Sequence, residues 1–162
     1  VPADGGQAVE RGTGAGRTTN ITGPWQAGAG QTSSLHAMDG IALPAIRACA
    51  PDLISVACGF DASVLDPLSQ TLATAETFRG MTQRIRALAS DICDGRLVLV
   101  HEGGYSEVYV PFCGHDTLEA LSGSRITAPD PYEASFRARQ PNARFDAFLK
   151  AEIDHMADAL AL

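Results

Sequence analysis

Two short stretches of this sequence carry side chains that chemistry could use. Asp61 stands in Gly59-Phe60-Asp61-Ala62-Ser63, just past an apolar run, and Tyr105 closes Glu102-Gly103-Gly104-Tyr105, just past another. A carboxylate near a dry pocket needs a cation or several donors. Two consecutive glycines remove two Cβ atoms, which lets the backbone approach a ligand closely or take positive φ. A phenol donates a hydrogen bond and stays neutral at pH 7. Each residue also has a plainer reading. Asp61 suits a helix cap or turn, the glycine pair a tight strand-to-helix turn, and Tyr105 a half-buried packing position. Asp66-Pro67 is a common turn start.

The elements around these stretches explain why they would meet. Leu53-Ile54-Ser55-Val56-Ala57-Cys58 and Arg96-Leu97-Val98-Leu99-Val100-His101 are short apolar runs with β-branched members. Both read as strands buried on both faces, as in a parallel sheet. Between them, Thr74 caps a helix whose apolar face is Phe78, Met81, Ile85, Leu88, Ala89 and Ile92, and Asp94-Gly95 ends it. Strands joined by such a helix are parallel, so both loops leave the same sheet edge, where open α/β sheets bind ligands. An earlier helix is expected from Ser34, with Leu35, Met38, Ile41, Ala42 and Ile46 on one stripe and Pro44 kinking or dividing it. Another follows Tyr105 to about Leu121. Residues 122–141 read as a Pro-containing loop, and Ala143–Leu160 as a last helix on the outside of the domain. Residues 1–34 read as Gly-rich loop with one short strand around Thr19–Ile21. The fold class is α/β, a three-layer αβα sandwich.

Composition narrows the function. Hydrophobic residues make up 45% and charged residues 19% of 162, enough for a packed core. A formal charge of −7 disfavours a phosphate backbone as partner. No uncharged apolar run reaches the ~18 residues of a membrane span, and no signal-peptide pattern opens the chain. Cys49, Cys58, Cys93 and Cys113 show no CxxC spacing, so no zinc ribbon is indicated; Cys58 and Cys93 read as small buried hydrophobes. Reduced thiols fit a cytoplasmic protein.

Taken together, PDLISVACGFDASVLDPL, a helix, and then RLVLVHEGGYS resemble the C-terminal half of the histone deacetylase and acetylpolyamine amidohydrolase family, its class II and bacterial members above all. The opening PADGGQAVERGTGAGRTTNI is similar to the Gly-rich loop that precedes these elements there. The resemblance spans residues 1–124, with 125–162 as a C-terminal loop and helix packing on that part. It implies an arginase-like parallel sheet flanked by helices and one catalytic zinc. It also implies hydrolysis of acetyl-lysine or another small N-acyl amine. By motif, Asp61 would be a zinc ligand, Tyr105 the oxyanion stabiliser, Gly103 and Gly104 the tunnel lining and Leu68 its rim.

The family also uses a tandem His pair and a D-x-H motif. His36, His101, His115 and His155 supply neither. The chain opens on Val1, and the expectation is a segment lacking the N-terminal half: inactive by itself, poorly soluble or self-associating, with a complete hydrolase as the parent protein. Two other classes stay open at this point. One is a deacetylase-like fold kept for protein binding without catalysis. The other is a nucleotide binder, suggested by Gly12-Thr13-Gly14-Ala15-Gly16, which lacks the final spaced glycine and the strand-to-helix setting of the dinucleotide fingerprint.

Overall fold

The computed structural model describes residues 10–17 and 19–161. The first residues of the Gly-rich opening, 1–9, lie outside them. The element order is α1 (Gln31–Ala37), a π-helical segment (Met38–Ala42), α2 (Leu43–Cys49), β1 (Ile54–Cys58), α3 (Ala75–Ile92), β2 (Leu97–His101), α4 (Val110–Ser122), α5 (Glu133–Arg137) and α6 (Ala143–Leu160).

The strands pair in parallel from Ile54 opposite Leu97 to Cys58 opposite His101. The connecting helix begins as its cap residue dictates. Thr74 accepts from the Thr77 N–H, and the Thr77 side chain answers the Thr74 N–H, a reciprocal capping box. Asp94 and Gly95 take φ of 51° and 75° and end the helix. Its inner face, Ile85, Leu88 and Ala89, packs with Ile54, Cys93, Val56 and Leu97 beneath the sheet. A second core gathers Phe60, Phe78, Tyr109, Cys113 and Phe136; each such aromatic contributes about 2–3 kcal/mol by leaving water.

The strands are buried on one face only. Ile54, Val56 and Leu97 look toward α3, whereas Ser55, Ala57, Val98 and Val100 share an exposed face, with both valines 47% exposed. Among the described residues nothing covers that face, so the apolar composition of the strands exceeds the cover present. Cys58 is half-buried, although Cys93 is fully so. The first helix starts at Gln31, with Gly30 rather than Ser34 at its cap. The Gln140 side chain accepts from the Gln31 N–H at 2.8 Å and does the work of a capping oxygen, while the Ser34 hydroxyl donates back to the Gly30 carbonyl.

Pro44 divides this helix as expected, since it has no N–H to donate. The division takes the form of a π turn that also splits the apolar stripe. Ala37 and Ile41 face Ile153 and Leu160 of α6, while Met38, Leu43 and Ile46 face the α3 core. Residues 122–141 contain the short α5, and residues 19–21 form no strand. The Gly14–Gly16 run is one 3-10 turn, and among the described residues it neither follows a strand nor opens an α-helix, the setting a dinucleotide fingerprint requires. α6 has the bounds its periodicity predicts, begins at Asn142, whose side chain accepts from the Arg144 and Phe145 N–H groups, and is tied to α1 by His36 Nε2 and Asp154 at 2.6 Å. No described helix is long and apolar enough to cross a membrane.

Candidate active site

Because β1 and β2 run parallel, the loops after Cys58 and His101 emerge side by side. Backbone hydrogen bonds stitch their roots: Glu102 N–H donates to Cys58 O at 3.3 Å, and Phe60 N–H to Gly103 O at 2.8 Å. The Phe60 ring, 5% exposed, anchors the first loop edge-to-face on Phe78 at 5.1 Å. The next residue is thereby turned outward. Asp61 is exposed, and its carboxylate lies against two glycines. A Cβ on Gly59 would stand 2.8 Å from Oδ1, and one on Gly103 2.8 Å from Cγ. Among the described residues the Asp61 side chain has no hydrogen-bond or ion-pair partner.

The second loop needs its glycines for two reasons. Gly103 leaves room for the Asp61 carboxylate. Gly104 takes φ of +128°, and a Cβ there would come 3.0 Å from Phe60 Cβ and Val110 Cγ2. Close approach and positive φ, both expected of this pair, are therefore present. Tyr105 follows with its side chain 58% exposed, and Leu68 on the first loop is 70% exposed. The sequence-predicted residues Asp61, Leu68, Gly103, Gly104 and Tyr105 thus share one edge of the sheet.

What joins the loops is a residue read from sequence only as a turn start. Asp66 is 7% exposed. Its Oδ1 accepts from Leu68 N–H at 2.9 Å, the local Asx turn that Asp-Pro announces. Its Oδ2 accepts from Tyr105 N–H at 2.6 Å, a bond between positions 39 residues apart that no local pattern signals.

A histone deacetylase domain matches residues 2–121. The chain belongs to the histone deacetylase family. It is 43% identical over 147 residues to the histone deacetylase-like amidohydrolase of Pseudomonas aeruginosa, covering 91% of this chain and 39% of that protein. It is 34% identical over 131 residues to a probable deacetylase of Archaeoglobus fulgidus, covering 78% and 36%. Human polyamine deacetylase HDAC10 shares 40% identity over 99 residues, or 60% of this chain and 14% of that one. Among solved structures, the HDA15 HD domain superposes with a TM-score of 0.70 at 24% identity, covering 99% of this chain and 41% of that chain. These agreements establish the αβα deacetylase fold. The chain spans about two fifths of the length of the first two relatives.

Family membership raises the question of which residues could hold a metal. One cluster of three potential ligands exists among the described residues, His115, Asp116 and Glu119 on α4. Its carboxylates are already engaged. Arg79 donates from Nη2 to Asp116 at 2.7 Å and from Nη1 to Glu119 at 2.8 Å, and these bonds with the two carboxylates drive the guanidinium pKa further up. That is an ion-pair network between α3 and α4. Asp61 belongs to no such group. Its unengaged carboxylate suits one position of a zinc sphere, but zinc takes four ligands, three of them from protein in catalytic sites. The described residues around Asp61 do not complete the set. His101, at the end of β2, holds Gly103 O with Nε2 at 3.1 Å. Burial pushes the Cys58 thiol up, which keeps it protonated and a poor ligand or nucleophile.

Proposed function

We propose that this chain is the C-terminal part of a zinc-dependent amidohydrolase that removes an acyl group from acetyl-lysine or a related small N-acyl amine. Residues 1–124 form the deacetylase-like portion and 125–162 a loop and helix that pack on it. The observation that carries the reading is the exposed Asp61 carboxylate, without a partner among the described residues, held against Gly103 on the loop that presents Tyr105. The names of its relatives, an amidohydrolase and a polyamine deacetylase, support the substrate class.

In this reading Asp61 gives zinc one carboxylate oxygen. The bound metal would supply Lewis-acid activation of water and of the acyl carbonyl. Tyr105 donates its phenolic hydrogen to the carbonyl oxygen as negative charge gathers there. The Gly103 and Gly104 backbone lines a narrow passage that no Cβ obstructs, and Leu68 forms its apolar rim. Four free thiols fit a reducing, cytoplasmic setting.

The test is Tyr105→Phe in the whole protein. The variant should keep its zinc content and lose about 10²–10³-fold in kcat, the usual effect of deleting one oxyanion donor. Turnover within twofold of the parent would overturn the role of Tyr105.

A further inference from the structure

Tyr105 follows two consecutive glycines, and its ring has no aromatic partner or hydrogen bond among the described residues. Neither local backbone stiffness nor packing of the phenol therefore fixes where that side chain starts. One bond does. The Tyr105 N–H is held at 2.6 Å by Asp66, whose other oxygen holds Leu68 N–H. Asp66 is 7% exposed and has no cationic partner among the described residues. A buried carboxylate without a counter-ion is costly, and a turn needs only the first of these bonds. The second oxygen serves the other loop, through a short charge-assisted bond of the stronger kind.

We propose that Asp66 is the positioning residue for Tyr105, fixing its backbone so that the phenol stands where the acyl oxygen will be. The inference rests on the catalytic reading of Tyr105 given above. Asp66 touches no substrate in this scheme. It acts through the amide of position 105, and through Leu68 it couples the rim to the same anchor.

Asp66→Asn separates the two bonds. Asn forms the same local turn through its carbonyl oxygen, so the Leu68 bond persists, while its NH2 faces the Tyr105 N–H and cannot accept from it. In the whole protein, hydrogen exchange should show the Tyr105 amide losing at least about tenfold in protection with Leu68 unchanged, as expected when an amide loses its acceptor. In the whole protein, kcat should fall by up to about 10²-fold, the scale of an ångström-level misplacement. KM should stay within about threefold and zinc content should not change. If Asp66→Asn fails to fold, an ester in place of the Tyr105 amide removes only the donor and should give the same kcat loss. Full kcat in either folded variant, alongside a damaged Tyr105→Phe, overturns the positioning role. Full kcat in Tyr105→Phe instead removes the catalytic reading beneath it.

Discussion

The Asp61 carboxylate rests against the Gly103 backbone so closely that a Cβ at position 103 would stand 2.8 Å from its Cγ. The two residues lie on different loops. The adjacent glycine is required for another reason, its φ of +128°, so the pair invites two substitutions with different failures. Gly103→Ala is acceptable to the backbone and pushes Asp61 aside. It should weaken zinc binding by the whole protein about 10–100-fold, as displaced supports of metal ligands do, with little change in the urea midpoint. Gly104→Ala should cost about 1–3 kcal/mol of stability through backbone strain and overpacking. Zinc titration and urea unfolding of both variants check this; a Gly103→Ala protein binding zinc like its parent would contradict it.

The 162 residues by themselves should not hydrolyse a fluorogenic acetyl-lysine peptide, with or without added zinc. One carboxylate cannot replace the protein ligands of a catalytic zinc. Measurable deacetylation by the pure chain would defeat this expectation.

Alkaline pH should destabilise the fold. Burial holds the Tyr109 hydroxyl and the Cys113 thiol well above their usual values of 10.0 and 9.0. Tyr109 also donates to Asp130 at 2.8 Å and accepts from Ala75 N–H at 3.0 Å. Above pH 9 the unfolded chain releases protons that the folded chain keeps, so it binds fewer and stability falls. The contribution is complete below pH 9 and declines by about 1.4 kcal/mol per pH unit for each group. Urea unfolding between pH 7.5 and 11 reads it directly. Tyr109→Phe should flatten the fall above pH 10 and cost about 1–3 kcal/mol at neutral pH, because Ala75 N–H and Asp130 lose their partner. A flat profile in the parent chain would be the contrary result.

The exposed sheet face should make the isolated chain self-associate. Val98 and Val100 present β-branched surface beside Ser55 and Ala57, and a two-stranded sheet leaves unpaired edges. Sedimentation velocity should show dimers or larger species, and the double change Val98→Thr, Val100→Thr should shift them toward monomer. A single sharp monomer boundary for the parent would count against it.

Local rules made much of this fold legible. The Thr74 cap, the Asp94-Gly95 stop and the Ala143–Leu160 helix all depend on residues within one turn of each other. The meeting of the two loops was legible because parallel strands joined by a helix place their ends together. Features depending on distant partners were not. Gln140 capping Gln31, Arg79 consuming the acidic pair on α4, and Asp66 reaching Tyr105 each join positions at least 37 residues apart. The burial of the strands was not legible either, because apolar composition reports what a strand is suited to, whereas exposure depends on which neighbours are present.

The π turn at Met38–Ala42 gives the first helical stretch two allegiances. Ala37 and Ile41 belong to α6, while Met38, Leu43 and Ile46 belong to the layer under the sheet. A straight rod with one greasy stripe could have served only one of those neighbours. The widened coil thus lets one unbroken helical stretch turn interleaved side chains toward both neighbours without a loop between them.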